Sequence, residues 1–393
     1  MKKLVVLLCL SASVAAFTHP AAAQGHTVQH LTVRSKSADP VDVAISVFKP
    51  AGASAAAPVP VILESHGWGG RRRTSVGDGV VKPLLDAGFG VVSFDQRGHG
   101  GTGGLRHLQD PAREAQDVIS VIDKIATLDW VELDAPGDPV LGAIGGSYGG
   151  GFQTMTALTE ISETGRTRFN ALAPEITWFD FPTALAPEGV ARTAWVSLVY
   201  AAGKAPCSTK TALSSAPADN LPKDPAECEN KLAPWADNAL AWALATGQWP
   251  AREDAVHAAV EEAAGIADLT SILRSHSPRG FVEDGLALDI PIIQRQGVTD
   301  NLLNLNEGLD IFHRALTDDA RSKSIFTAYN GGHPLILHEG TPPVGSILPA
   351  ASVPSGDPCN GGNSGWARLR IAFFEEVFAG NNPRVTLGAR AYN

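Results

Sequence analysis

The chain has 393 residues, of which 44% are hydrophobic and 18% are charged, a balance typical of a globular protein with one large domain or two smaller ones. Its formal net charge is −10. An acidic chain without basic runs is a poor match for nucleic acid, so we expect no nucleic-acid partner.

The first residues have the pattern of an export signal. Lys2 and Lys3 precede a short apolar run, LVVLLCL, and small residues at 21–23 form a cleavage site. We therefore expect residues 1–23 to be a signal peptide, with cleavage near residue 23, and the protein to be secreted or periplasmic. The run is too short to span a bilayer, so we expect no membrane association after its removal.

The first half of the remaining chain reads as strands that alternate with helices. Two alternating, β-branched runs between residues 28 and 50 predict an antiparallel edge pair. The compact apolar runs PVPVILESHG and GFGVVSFD predict buried strands. Asp110 before Pro111 predicts the start of a helix, because Asp caps well and Pro suits the first helical position.

Four further strands follow the same alternation: PVLGAIGGS, FNALAPE, DIPIIQRQGV and KSIFTAYNGG. A helix is expected from Gly150 onward, directly after the first of them. Strands that alternate with helices predict an α/β fold with a mostly parallel, doubly wound sheet. We place the two parts of this core at residues 24–175 and 286–393.

Residues 176–285 interrupt the alternation, and we expect them to form a helical cap insertion. The stretch contains few strand patterns and many Ala and Pro residues. Trp235, Trp242 and Trp249 are spaced by seven, as on one helical face. They either form the core of the insertion, which we favour, or line a substrate pocket. Residues 340–365 are rich in Pro, Gly and Ser, which predicts a surface loop.

Three cysteines remain once Cys9 is lost with the signal peptide. Cys207 and Cys228 both lie in a Pro-rich part of the insertion that is short of core residues. Export permits a disulfide, and we expect a bridge between these two. The alternatives are two unpaired cysteines or a bridge from Cys359 to either one.

The strongest chemical signal is the pentapeptide Gly145-Gly146-Ser147-Tyr148-Gly149. It fits the pattern G-x-S-x-G between a strand and a helix, where a sharp turn lifts the serine oxygen out at the edge of the sheet. A glycine-rich phosphate loop is the alternative, but no Lys follows as such a loop requires. We therefore predict that Ser147 is a nucleophile.

A serine nucleophile requires a base and an orienting acid, which come in the order Ser, acid, His in this type of fold. Asp300 lies just past the strand in PIIQRQGVTDN, and His333 just past the next strand in TAYNGGHP. We predict that they are the acid and the base. The rival candidates are Glu175, Asp180, His276, His313 and His338.

The reaction also needs donors for the oxyanion of the tetrahedral intermediate. We assign one to the backbone N–H of Tyr148, the residue after the nucleophile. The second is expected from the loop HGWGG, at the N–H of Trp68 or, as the near alternative, of Gly67. His66 in the same loop is expected to be structural. No metal or dinucleotide motif is present, so we expect no metal and no cofactor.

Several segments together resemble the peptidase S15 family of X-Pro dipeptidyl peptidases and cocaine-esterase-like acyl hydrolases. They are HGWGG, SFDQRGHGGTGG, GGSYGG, APEITWFDF, HSP at residue 277, QGVTDNLLNLNEGL, GGH and LRIAFFEEVFAG. The resemblance implies the α/β-hydrolase fold, a helical cap before the strand of the acid, and a triad of Ser147, Asp300 and His333.

The chain departs from that family in two respects. Many members place a Tyr in the loop after the third strand, where this chain has HGWGG. Many also carry a C-terminal β-sandwich domain, which we do not expect because the chain ends soon after the last hydrolase helix. Both departures put dipeptidyl-peptidase specificity in doubt.

We therefore expect a serine hydrolase that cleaves a small ester, with an X-Pro dipeptidyl peptidase acting on short peptides as the alternative. A non-catalytic binding protein on the same fold is a third hypothesis. The aromatic side chains expected to suit an apolar acyl group are Trp178, Phe179, Phe181 and Trp195.

Overall fold

A computed structural model describes residues 25–204, 231–333 and 362–391. An eight-stranded sheet forms its centre, and a two-stranded hairpin lies beside it. In chain order the strands are β1 (Thr27–Arg34), β2 (Asp42–Lys49), β3 (Val61–Ser65), β4 (Gly90–Phe94), β5 (Leu133–Ala135), β6 (Asp138–Pro139), β7 (Leu141–Gly146), β8 (Ala171–Glu175), β9 (Ile293–Gly297) and β10 (Ile325–Tyr329).

The strand order in the sheet is β1-β2-β4-β3-β7-β8-β9-β10. The pairs β1–β2 and β2–β4 are antiparallel, and the others are parallel. The predicted antiparallel edge pair and the predicted parallel strands are thus confirmed. The order is that of the α/β-hydrolase fold. It sets β3 and β7 side by side, with Val61 opposite Leu141, so the loops that follow these strands are neighbours.

Helices cover both faces of the sheet. The described helices are α1 (Val81–Asp86), α2 (Gln116–Ile125), α3 (Tyr148–Thr164), α4 (Phe181–Leu185), α5 (Thr193–Lys204), α6 (Pro234–Thr246), α7 (Ala255–Ala263), α8 (Leu269–Ser275), α9 (Pro278–Glu283), α10 (Leu305–Arg314), α11 (Asp318–Lys323), α12 (Gly362–Phe378) and α13 (Pro383–Ala391). Helices α2, α3, α10 and α11 pack on one face, and α1, α12 and α13 on the other.

The packing explains why the strands of the core are apolar throughout. Every residue of β3 and of β4 is buried, because helices cover both of their faces. The predicted helix start at Asp110 is also confirmed. Its carboxylate accepts a hydrogen bond of 2.8 Å from the N–H of Ala112. The first turn, Pro111–Ala115, is a π-helix that continues into α2.

Helices α4 to α9 all lie between β8 and β9, and α4, α5, α6 and α8 share a hydrophobic core of their own. Buried Trp195, Leu240 and Leu273 belong to that core. Trp235 and Trp242 lie on α6 and pack against it, whereas Trp249 lies beyond the end of that helix. No helix within the described ranges is long and apolar enough to cross a membrane.

Several expectations concern residues outside the described ranges. They are the signal peptide at residues 1–23, the cysteines Cys207, Cys228 and Cys359, the rival base His338, and most of the expected loop at 340–365. The expectation of a loop is wrong for its last four residues, because α12 already begins at Gly362.

A buried carboxyl group makes the stability of this fold depend on pH. One oxygen of Glu307 accepts hydrogen bonds from the N–H groups of Phe179 (2.8 Å) and Asp180 (2.9 Å). Burial nevertheless raises the pKa of Glu307 from 4.5 to about 7. Between these two values the folded state therefore holds a proton that the unfolded state has released.

Because the folded state retains this proton, we expect the free energy of unfolding to fall as the pH rises from about 5 to about 7. The decrease is at most about 1.4 kcal/mol per pH unit. Glu307→Gln mimics the protonated side chain and should lose this part of the pH dependence. Glu132→Gln, at an exposed position, should retain it. Urea unfolding of the three proteins at several pH values checks this, and parallel curves for wild type and Glu307→Gln would contradict it.

Candidate active site

Ser147 lies on a strained turn between β7 and α3. Its φ is 57° and its ψ is −123°, a conformation that a residue with a side chain rarely adopts. The turn is held at both ends. The N–H of Ser147 donates to the carbonyl of Glu175 at 2.9 Å, and its carbonyl accepts from the N–H of Gly150 at 2.8 Å. The serine is therefore fixed at the carboxyl edge of the sheet.

The glycines of the pentapeptide are required by close packing of backbone on backbone. A Cβ atom at Gly149 would collide with the carbonyl oxygen of Ser65 and lie 2.9 Å from that of His66. A Cβ atom at Gly145 would lie 2.7 Å from the same Ser65 oxygen. The φ angle of Gly145 is 156°, a value that residues with a side chain rarely adopt. The turn at Ser147 can thus reach its position beside the end of β3 only with glycine on both sides.

His333 and Asp300 form a buried pair at the ends of β10 and β9. His333 Nδ1 and Asp300 Oδ2 are 2.7 Å apart, and each residue is 5% exposed. Asp300 Oδ1 accepts from the N–H groups of Leu302 (2.9 Å) and Leu303 (2.8 Å), which fixes the carboxylate. With Nδ1 bound to the acid, Nε2 is the ring nitrogen left for another partner.

Ser147 and His333 border one cavity of about 360 Å³, although they are far apart in sequence. Gly67 and Trp68 of the HGWGG loop line it as well. Its apolar lining is Val80, Ile144, Ile176, Trp195, Leu198, Val199, Ala202 and Leu302. Its charged lining is Glu64, Arg71, Arg72, Arg73, Asp78, Glu175 and Arg370.

The expectation that four aromatic side chains contact an apolar acyl group is wrong for three of them. Trp178, Phe179 and Phe181 do not line the cavity, and each is at most 5% exposed. Trp178 stacks on Phe181 with ring centroids 4.5 Å apart in the core of the insertion. Trp195 alone of the four borders the cavity. Large aromatic side chains stabilise a helical insertion when they are buried in its core, and a side chain buried there is not available to contact a substrate.

The HGWGG loop lies directly against the nucleophile. A Cβ atom at Gly67 would be only 3.7 Å from the Cβ of Ser147. The Trp68 ring is anchored, because its Nε1 donates to the carbonyl of Val199 at 3.0 Å and it packs edge-to-face with the Tyr148 ring, with centroids 4.9 Å apart. The loop is thus tied both to the helical insertion and to α3.

His66 orients the peptide group between Gly67 and Trp68. Its Nε2 accepts from the N–H of Gln96 at 3.2 Å, so Nδ1 carries the proton and donates to the carbonyl of Gly67 at 2.8 Å. Burial lowers the pKa of His66, which keeps the ring neutral. The same carbonyl accepts from the N–H of Gly70. Since C=O and N–H point in opposite directions in a trans peptide, the Trp68 N–H points away from His66.

Among the rival acids and bases that lie within the described ranges, only Glu175 reaches the cavity. Its Oε1 accepts from Arg295 Nη1 at 2.7 Å and its Oε2 from Trp366 Nε1 at 2.9 Å. Asp180 is buried elsewhere and pairs with Arg279 at 2.8 Å. His276 and His313 do not border the cavity. Within the described ranges, no cluster of His, Cys, Asp or Glu that could hold a metal ion is present.

Apart from Glu175, which was a rival acid, the charged lining was missed by the sequence analysis. The three consecutive arginines at 71–73, which the description of a chain without basic runs overlooked, were a visible signal, because they directly follow the HGWGG loop already assigned to the site. Arg370 gave no signal of its own, since one arginine in a mixed helix reads as a surface residue. Its place at the cavity follows only from the packing of α12 against the sheet.

The strand order and the serine on the strained turn after β7 define a serine hydrolase of the α/β-hydrolase fold. Residues 39–341 match the family model of the X-Pro dipeptidyl-peptidase (S15 family). The match covers well over half of the chain, so the protein belongs to this family.

Individual relatives are distant. The uncharacterized protein YcjY of Escherichia coli K12 is 30% identical over 100 residues, which are 25% of this chain and 31% of that protein. The acetyl xylan esterase 1 of a Thermoanaerobacterium species is 13% identical, with a TM-score of 0.45 over 79% of this chain and 80% of that chain. The acylaminoacyl peptidase of Pyrococcus horikoshii is 13% identical, with a TM-score of 0.47 over 78% and 37%.

The close packing at Gly149 predicts a specific cost for a methyl group. We expect Gly149→Ala to lower the free energy of unfolding by about 1–3 kcal/mol, because the Ser65 carbonyl is backbone and cannot swing aside. Gly103→Ala is the control, since a Cβ atom there meets nothing within 4 Å. Denaturant unfolding measures both, and equal stability of the two variants would show that the turn has room.

Proposed function

We propose that this protein hydrolyses carboxylic esters through an acyl intermediate on Ser147, with His333 as base and Asp300 as the acid that orients it. One observation carries the proposal. A serine on a strained turn and a histidine bound to a buried carboxylate border the same cavity. An oriented base beside a serine is what nucleophilic catalysis of acyl transfer requires.

The proposed reaction proceeds in two halves. His333 Nε2 takes the proton of Ser147 Oγ as this oxygen attacks the ester carbonyl, and it returns the proton to the leaving alkoxide when the C–O bond breaks. Water then repeats these steps on the acyl-enzyme and releases the acid. Asp300 stays ionised and stabilises the imidazolium in both halves.

The oxyanion donors in this proposal are the N–H groups of Tyr148 and Trp68. Neither donates a backbone hydrogen bond to another described residue. Tyr148 follows the nucleophile and begins α3, where the first N–H groups of a helix have no partner within it. The Trp68 N–H is directed by the two hydrogen bonds on the Gly67 carbonyl. Two fixed donors stabilise the charge on the tetrahedral intermediate.

The triad has a direct test by substitution. We expect Ser147→Ala and His333→Ala each to lower kcat on a 4-nitrophenyl ester by roughly 10³-fold or more, and the double variant to lose little further. Asp300→Asn should also lower kcat strongly. It keeps an oxygen for the N–H groups of Leu302 and Leu303 but turns an amide donor toward His333.

The matched control is His313→Ala, a change at an exposed position that should leave kcat unaltered. Circular dichroism checks that each variant folds. Loss of turnover in His338→Ala but not in His333→Ala would assign the base to His338. A wild-type protein that neither turns over esters nor reacts with a fluorophosphonate at Ser147 would favour the binding-protein hypothesis.

The hydrogen bonds of the carboxylates in the cavity favour an ester substrate over a dipeptide substrate. An X-Pro dipeptidyl peptidase must hold a free N-terminal ammonium, and a buried cation without a partner is costly. The described carboxylates that line the cavity are already occupied. Glu175 binds Arg295 and Trp366, Glu64 binds Arg73, and Asp78 accepts from the backbone of Thr74. Glu175 and Glu64 are thus already matched by arginines, which makes them poor partners for a substrate ammonium.

We therefore expect kcat/KM for short-chain aryl esters to exceed that for Ala-Pro or Gly-Pro nitroanilides by at least about tenfold, or roughly 1.4 kcal/mol in the transition state. Aryl esters are intrinsically more reactive, so a second comparison is needed. Acetylation of the peptide N-terminus should matter little to any residual cleavage. Efficient cleavage of free Ala-Pro-nitroanilide, lost on acetylation and lost again in Glu175→Gln, would establish the peptidase instead.

A further inference from the structure

We propose that Arg370 is a specificity-determining residue that binds a carboxylate of the substrate in the cavity of Ser147. The inference deepens the proposed function, since it names the substrate class for the same site: small esters that carry a negative charge. It rests on the position of Arg370, on its lack of a partner, and on the pairing of the charges around it.

Arg370 lies on α12 and lines the cavity that Ser147 and His333 also border. The residue is 9% exposed. Its Nε is buried without a hydrogen-bond partner, and its guanidinium makes no hydrogen bond or ion pair with the described residues. Its nearest aromatic contact is Trp366, with the guanidinium carbon 5.8 Å from the ring centroid. A buried guanidinium with free donors is costly unless a ligand supplies an acceptor.

The neighbouring carboxylates do not supply that acceptor. Glu175 pairs with Arg295 at 2.7 Å and accepts from Trp366. Glu64 pairs with Arg73 at 3.2 Å and accepts from Ser93. Each of these carboxylates is thus matched by another arginine.

Arg72 is likewise engaged, because it pairs with buried Asp95. The positive charge of Arg370 is therefore left over among these neighbours. Arginine does not lose its proton in proteins, so burial cannot neutralise it.

The chemistry of the group identifies the ligand. A guanidinium presents parallel N–H donors whose spacing fits the two oxygens of a carboxylate. A cavity of about 360 Å³ has the size of a site for a small molecule. The carboxylate belongs either to the acyl part or to the leaving group of the ester, and both give the same contact with Arg370.

Two pairs of matched esters separate these sources. The first pair is mono(4-nitrophenyl) glutarate and 4-nitrophenyl pentanoate, which differ in a carboxylate on the acyl part. The second is 4-acetoxybenzoate and its methyl ester, which differ in a carboxylate on the leaving group. We expect Arg370→Gln to lower kcat/KM for the charged member of one pair by about 10- to 100-fold, mainly through KM. The neutral member should change by less than about threefold.

Arg368→Gln is the matched control, because it removes the same charge from an exposed position of the same helix. It should leave the charged and neutral esters unaffected. Arg370→Lys should recover part of the loss, since it keeps the charge but not the paired donors. Thermal melts of all variants identify any that fail to fold, and Arg370→Lys then serves as the test variant.

The inference is overturned if Arg370→Gln lowers kcat/KM for the charged and neutral members equally, or changes neither. It can also be tested without turnover, by calorimetric binding of glutarate and of benzoate to wild type and to Arg370→Gln. If no ester is hydrolysed, the proposed function fails, yet binding of either anion that is lost in Arg370→Gln would still support the carboxylate site. Equal binding or no binding by both proteins would overturn it.

Discussion

The backbone of the turn at Ser147 packs directly on the carbonyl oxygens of Ser65 and His66, and the rest of the site depends on this contact. It is possible because β3 and β7 are adjacent parallel strands that end together. The contact brings Gly67 beside the nucleophile, where the carbonyl of Gly67 is held by His66. One close approach of two loops thus accounts for the positions of the serine and of both proposed oxyanion donors.

A second close approach, between the loops after β9 and β10, sets the geometry of the His333–Asp300 pair. A Cβ atom at Gly297 would collide with the carbonyl of Gly331, and one at Gly332 would collide with the side chain of Asp300. Glycine at these positions lets the loops interlock, so the imidazole and the carboxylate meet at 2.7 Å in a buried environment. Rigid strand ends therefore hold the proposed acid and base, and the short loop after β10 brings His333 to the cavity.

The residues that face the cavity combine an apolar lining with charges that are largely paired. The apolar lining comes mainly from α5 of the insertion, at Trp195 and Val199. The charged lining comes from β3, from the loop after it, from β8 and from α12, so four separate parts of the chain contribute to it. Glu175 in this lining is bound by Arg295 and Trp366, whereas Arg370 has no hydrogen-bond partner for its buried Nε among the described residues.

The sequence by itself determined the order of the strands and the positions of the candidate reactive residues. Strands buried on both faces must be apolar, and a serine on a crowded turn must have glycine neighbours, so both features are visible in a local pattern. Asp300 and His333 were predictable because each directly follows a strand. Only the tertiary structure decided that Trp178 packs in a core and that Arg370 faces the cavity. Which neighbours surround a side chain depends on contacts between distant segments, and local spacing does not record them.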